Sequence, residues 1–248
     1  MCVSCIQSIP QPGAAMVDAD ITMSKYYFEH DFSSFLPLFT GGGYKVVRER
    51  FAKGDLISSQ GETLNNGYYI ISGIMQLKVG NEEGKERSLA FFGPGSIFPL
   101  GIDEHHYRME YAMVESALTD VEAYRFNFPE LQRMVRDHPD LGIRMIEHYC
   151  DFTSFLFYAI SSASYSTALT KVASVLYALS DKMTVAGSVP LGQAQVAEVA
   201  GVSKVQVARA YRKLTEGGVI KAGHMGVRVL DRSALAELAE YEVLDEGR

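Results

Sequence analysis

Residues Gln193 to Lys213, Gln-Ala-Gln-Val-Ala-Glu-Val-Ala-Gly-Val-Ser-Lys-Val-Gln-Val-Ala-Arg-Ala-Tyr-Arg-Lys, read as a helix, a tight turn and a second helix. In the first helix Val196, Ala197, Val199 and Ala200 fall on one face at helical spacing. Gly201 is free to take the left-handed conformation that ends a helix, and Ser203 can cap the next one through its hydroxyl. The second helix is expected to bury Val207, Ala208, Tyr211 and Leu214 and to leave Lys204, Gln206, Arg209, Arg212 and Lys213 outside. It holds no acid before Glu216. Amides and guanidinium groups on an exposed helix face free of carboxylates suit a DNA major groove, where hydrogen bonds read base edges and cations meet phosphates.

The flanking sequence extends this unit. Gly217-Gly218 gives a turn, and Val219 to Lys221 with Val227 to Leu230 are expected to form a hairpin around Gly223-His224-Met225-Gly226, a wing whose His224 joins the DNA-facing candidates. Upstream, Thr167 to Met183 reads as a helix and Ser161 to Ser166 as a hinge. Before the hinge, a long helix is expected from Pro139-Asp140 to about Ser162. It carries two apolar stripes: Ile146, Tyr149, Thr153, Leu156 and Ile160 on one side, and Leu141, Met145, His148, Phe152, Phe155 and Ala159 on the other. One stripe suffices to pack against a domain. Two imply a seam with a second copy of the chain, hence a homodimer.

The preceding region has a different texture. Tyr26 to Leu38 is rich in aromatic residues and is expected to begin with a short helix. Short β-type runs follow at Tyr44 to Phe51, Asp55 to Ser58, Tyr68 to Ile71, Ile74 to Val79, Ser88 to Phe92, Ile97-Phe98, Tyr107 to Val114 and Asp120 to Phe126. Turn signals such as Lys53-Gly54, Asn65-Asn66-Gly67 and Ser72-Gly73 separate them. Many short strands at this spacing imply an antiparallel barrel or sandwich, which Pro129 to Arg136 then closes as a helix. The fold class is α+β: an N-terminal jelly-roll-like antiparallel β-barrel, a long dimerisation helix and a C-terminal winged helix-turn-helix. The boundaries fall at 1–24 for a loose arm, 25–138 for the barrel, 139–163 for the long helix and hinge, and 164–248 for the DNA-binding unit.

Charge is distributed along the same lines. Formal net charge over the 248 residues is -7, yet between Ser164 and Leu230 eight Lys and Arg residues face three acids. A basic module is joined to an acidic one, as suits a DNA reader coupled to something else. No apolar run reaches membrane-spanning length, and no basic segment leads an apolar stretch at the start, so the expected location is the cytoplasm without membrane contact. Three cysteines, Cys2, Cys5 and Cys150, do not make a disulfide scaffold.

In this order of parts the chain resembles the cyclic-AMP receptor protein and FNR (Crp/Fnr) family of bacterial transcription regulators. The resemblance rests on Gln195 to Arg209 and on two barrel phrases, Ile71-Ser72-Gly73-Ile74-Met75-Gln76-Leu77 and Phe92-Gly93-Pro94-Gly95-Ser96-Ile97-Phe98. It implies a homodimeric regulator, with a lean towards activation and RNA polymerase as a partner, that binds an inverted repeat in double-stranded DNA. Carried over by position, it puts Ser203 on phosphate, Lys204, Val205 and Gln206 over the bases, and Arg209 at the family's recurrent base-reading arginine. Gln193, Arg212 and Lys213 complete the DNA-facing set. Many members have Glu where this chain has Val205. A valine cannot accept from cytosine N4 but can touch a thymine methyl, so an altered half-site is expected.

The sensor end departs from the nucleotide-binding pattern. The Gly-Glu pair that holds the ribose in nucleotide-binding members falls here at Pro99-Leu100, and the Arg-Ser pair that holds the phosphate falls near Tyr111-Ala112, with Arg108 three residues earlier. Cyclic AMP is therefore not expected. In place of that pocket the chain offers Phe98, Leu100, Tyr107, Met109 and Tyr111, with Phe152, Phe155 or Leu156 from the long helix. Such a set suits a small aromatic or apolar effector, and family members that sense halogenated phenols (halorespiration-type) are a parallel, down to a valine at the position of Val205. Packing by side chains alone is the competing account of the same residues.

Other inputs have less in the sequence. The Cys2-Val3-Ser4-Cys5 pair leaves a redox or metal response open, but three cysteines are too few for a four-thiolate iron–sulfur cluster, and Cys150 is expected to be a small buried residue. Haem would need a ligand from His105, His106, His138 or His148, and none lies in a motif. No cofactor is expected. A cupin-like barrel enzyme would need a His-x-His metal set on its strands, which the chain lacks, so an enzyme is not expected.

Overall fold

The structure is a computed structural model, and it describes residues 26–58, 65–80, 86–99, 113–181, 183–223 and 226–239. The barrel elements come first. They are β1 (Tyr27–Phe28), α1 (Leu36–Thr40), β2 (Val47–Phe51), β3 (Leu56–Ser58), β4 (Asn66–Ser72), β5 (Met75–Gly80), β6 (Glu86–Phe92), β7 (Ile97–Phe98), β8 (Met113–Ala117) and β9 (Val121–Asn127). The helices α2 (Phe128–Asp137) and α3 (Pro139–Tyr165) follow. The C-terminal unit contains α4 (Ala168–Ser180), α5 (Gln193–Ala200), α6 (Lys204–Glu216), β10 (Ile220–Gly223), β11 (Gly226–Val229) and α7 (Arg232–Leu238).

Two sheets form the barrel. One has the order β1-β6-β5-β8-β3 and the other β2-β9-β4-β7. All described pairings in them are antiparallel except β1 with β6, which is parallel. That pairing corrects the expected helix at Tyr26: Tyr27 and Phe28 lie beside Phe91 and Phe92, and the helical turns come later, at 33–40. Period-2 alternation sets the interior. Tyr68, Ile70, Met75, Leu77, Ala90, Phe92, Phe98 and Ala123 join one core, whereas Tyr69, Ile97 and Phe126 face a second core under α1 and α2.

Helix α2 starts where Asn127 accepts a hydrogen bond from the Glu130 backbone N–H, with Pro129 in the first turn. After it, α3 runs unbroken for 27 residues, three beyond the expected end, so the joint to the next unit narrows to Ser166-Thr167. Thr167 then caps α4 at Thr170 N. The barrel-facing stripe is as expected: Leu141, Met145, His148 and Phe155 are buried, and Phe152 and Ala159 are half-buried. Asp31 fastens the N-terminal strap to this face, its carboxylate 2.8 Å from Arg144 and 3.1 Å from His148 Nδ1.

Of the other stripe, Ile146, Tyr149, Thr153 and Ile160 are exposed as expected, and Ile143 and Phe157 join them. Ile143 (57% exposed), Ile146 (66%), Phe157 (69%) and Ile160 (67%) stand out from the barrel, with Cys150 and Thr153 between them. Leu156, expected in this stripe, packs against the core instead. Cys150 is exposed rather than buried, because it lies on this outer face.

Gly73 shows how tight the β4–β5 turn is. Its φ is +85°, and a Cβ there would lie 2.0 Å from the Asp120 carbonyl oxygen. Neither the backbone angle nor the space admits a side chain. Gly73→Ala is expected to lower stability by about 2–4 kcal/mol, read as a reduced urea midpoint at unchanged slope.

Candidate nucleic-acid interface and sensor interior

The reading unit is assembled around two caps. Helix α5 ends at Gly201, whose φ is +62°. Ser203 then starts α6: its hydroxyl accepts from Gln206 N at 3.2 Å, and the Gln206 side-chain oxygen accepts from Ser203 N at 2.8 Å. This capping box fixes the direction of α6 as it leaves the turn. Val196, Ala197, Val199 and Ala200 of α5 are all buried, and from α6 so are Val207, Ala210, Tyr211 and Leu214. Ala208, expected inside, is exposed, and Ala210 takes its place at the spacing that continues to Leu214. The Tyr211 hydroxyl is buried with no hydrogen-bond partner, and burial pushes its pKa up.

The outer face of α6 presents Lys204, Val205, Gln206, Arg209, Arg212 and Lys213, all exposed. Val205 is 61% exposed, so its methyl groups stand among the cations and not in a core. Gln206 spends its amide oxygen on the cap. Gln193 is exposed at the first position of α5. The hairpin β10–β11 pairs Ile220 with Val229 through to Gly223 with Gly226, and its tip residue His224 lies outside the described residues. The arrangement offers a convex, acid-free face of helix with a two-stranded ribbon beside it.

At the sensor end the structure brings Phe98, Phe152, Phe155 and Leu156 into one cluster. Phe98 stacks on Phe92 at 4.0 Å between ring centroids. Phe152 lies 6.4 Å from Phe92 and 5.9 Å from Phe155, and Phe28 and Tyr26 close the group. Leu100, Tyr107, Met109 and Tyr111 lie outside the described residues, as do Cys2, Cys5, His105 and His106. Of the two remaining haem-ligand candidates, His148 is engaged by Asp31, and His138 lies against the Tyr44 ring. Among the described residues no group of His, Cys, Asp or Glu is placed to hold a metal ion, and no helix is long and apolar enough to cross a membrane.

Sequence reading missed one interior group. Glu115 pairs in register with Leu77 and shares its inner face with Met113 and Ala117. It is 1% exposed, and neither carboxyl oxygen has a hydrogen-bond partner. Burial pushes its pKa up to about 7, with Ser58 pulling the other way. The alternation in Met113-Val-Glu-Ser-Ala117 was the available signal, since it places a carboxyl on the same side as two apolar residues.

Comparison with known proteins agrees with this geometry. Residues 48–138 match the Cyclic nucleotide-binding domain family, and residues 170–238 match the Crp-like helix-turn-helix domain family. No relative among curated protein sequences matches the chain. Among solved structures, it is similar to TTHA1359, a transcriptional regulator of the CRP/FNR family from Thermus thermophilus. Identity there is 21% over 78% of this chain and 98% of that one, with a TM-score of 0.65. FixK2 from Bradyrhizobium japonicum is 18% identical over 78% of this chain and 97% of its own, with a TM-score of 0.64. CprK complexed with OCPA is 17% identical over 85% of this chain and 98% of its own, with a TM-score of 0.64. The chain thus couples a sensor domain of the cyclic nucleotide-binding kind to a DNA-binding helix-turn-helix. That pairing is the one that the resemblance to Crp/Fnr transcription regulators implies.

The buried carboxyl makes a pH signature. Glu115 stays neutral in the folded barrel up to about pH 7, but in the unfolded chain it ionises at the ordinary value of 4.5. Folding stability therefore falls as pH rises through this window, by roughly 3 kcal/mol from this one group. Glu115→Gln removes that component. Urea unfolding at pH 4.5 and pH 8 is expected to show the variant gaining on the natural chain by about this amount.

Proposed function

We propose that this protein is a homodimeric, sequence-specific regulator, more an activator than a repressor. It binds an inverted repeat in double-stranded DNA and answers to a small aromatic or apolar effector instead of a cyclic nucleotide. The observation that carries the DNA reading is the outer face of α6, on which Lys204, Arg209, Arg212 and Lys213 are all exposed and no acid intervenes. Val205 in their midst favours a half-site with a thymine methyl at its step. RNA polymerase is the partner an activator of this family would engage.

The dimer rests on the outward stripe of α3. Ile143, Ile146, Cys150, Thr153, Phe157 and Ile160 recur in alternating steps of three and four, the period of a two-stranded coiled coil. Four of the six are large apolar residues more than half exposed in the single chain, a cost that a second copy removes.

The effector reading rests on the Phe92, Phe98, Phe152 and Phe155 cluster, which joins barrel and α3. The fold is shared with CprK, which was solved complexed with OCPA. The change on binding is a population shift between arrangements of the reading units.

Four measurements test this reading. Selection from a pool of random duplexes is expected to yield an inverted repeat with half-sites about one helical turn apart. Arg209→Ala is expected to weaken binding to it by roughly 1–3 kcal/mol, whereas an unchanged gel shift removes the assigned reading face. Phe157→Asp is expected to leave a folded monomer in sedimentation, and a persistent dimer places the interface elsewhere. In a thermal-shift panel of phenols and aromatic acids, at least one phenol is expected to raise the melting temperature, and a flat response rejects the effector class.

A further inference from the structure

Barrel and reading unit meet where α5 lies against β6. Ser88, 1% exposed, donates from its hydroxyl to Glu198 Oε2 at 3.2 Å and accepts from Gln76 Nε2 at 2.5 Å. Gln76 is itself 3% exposed, so two of the three members of this chain of hydrogen bonds are buried. Next to it, the Arg87 guanidinium points at the last turn of α5, with Nη2 3.4 Å from the Val199 carbonyl oxygen. A Cβ on Gly201 would lie 3.1 Å from Arg87 Cζ. A barrel cation thus sits at the negative end of α5, against the turn that launches α6.

We propose that this contact is an autoinhibitory latch: β6, through Arg87 and Ser88, holds α5 so that the barrel stands in the path of the DNA backbone. The proposal rests on the DNA-binding reading of α6. In helix-turn-helix docking the first helix crosses the backbone, and the recognition helix enters the groove by its N-terminal residues. A crevice of about 460 Å³ opens at that place, lined by Arg87, Glu198, Gly201, Ser203, Lys204 and Gln206. A duplex seated on Ser203 and Lys204 meets Arg87 and β6 at the crevice wall. Ser88 is paired across the contact with Glu198 and within the barrel with Gln76, whereas Arg87 Nε is buried there without a hydrogen-bond partner, so the contact holds at Ser88 and carries an unmet polar group at Arg87 that its opening would free.

The same strands connect the latch to the sensor interior. On β5, Leu77 faces in and Gln76 faces out. On β6, Ala90 and Phe92 belong to the inner core, while Ser88 faces α5. A ligand that displaces Phe92 or Leu77 therefore moves the carriers of Gln76 and Ser88. The sensor acts on the latch through the thickness of one sheet.

The test uses the full chain without effector, and as probe the inverted-repeat duplex obtained by selection. Ser88→Ala and Arg87→Ala are each expected to lower Kd by about fivefold or more, within the usual range of allosteric coupling, and to enlarge the radius of gyration in small-angle scattering. Two results overturn the latch. One is weaker DNA binding by Arg87→Ala, which makes Arg87 a phosphate contact. The other is no change in Kd and radius for both variants. Should Arg209→Ala leave DNA binding intact, the DNA reading fails on its own, and the scattering comparison still decides whether the contact opens.

Discussion

The burial of one face of α3 against the barrel is the constraint on which the rest depends. Phe152 and Phe155 reach Phe28 and Phe92, and Met145 reaches the second core. Asp31 ties the strap over the same face through Arg144 and His148. With that side committed, the helix cannot rotate to hide Ile143, Ile146, Phe157 and Ile160. The barrel therefore dictates the azimuth of the outward stripe, and any second copy must come to it there. Barrel packing and the exposed apolar stripe are two sides of one helix.

Much of this is legible in the chain. The Gly201 turn, the Ser203 cap and the long double-striped helix all follow from local chemistry that acts within a few residues. The errors have a common origin in side chains whose size gives little direction. Ala208 and Ala210 are equivalent as sequence signals, and only the contact surface of α4 and α5 distinguishes them. Leu156 and Phe157 are adjacent apolar residues, and the barrel takes the first and leaves the second. Residue type alone suggests a buried Cys150, whereas its position puts it on the outer stripe.

Contacts distant in sequence are beyond local reading. The parallel pairing of β1 with β6 joins segments more than sixty residues apart, and Tyr27-Phe28 is too short to show a period. Ser88 and Glu198 are separated by 110 positions, and each on its own looks like an ordinary surface residue. Glu115 is visible in principle, but a lone carboxyl in an alternating strand looks like a register error until its neighbours are placed.

The continuity of α3 has a mechanical side. With 27 residues it is about 40 Å long, and only Ser166 and Thr167 separate it from α4. Such a rod amplifies angles into distances. A tilt of about 5° at the barrel end sweeps the far end through about 3.5 Å, close to the axial rise of one base step. A movement that the aromatic cluster absorbs as a slight change in packing thus becomes, at the reading heads, the difference between one base pair and the next.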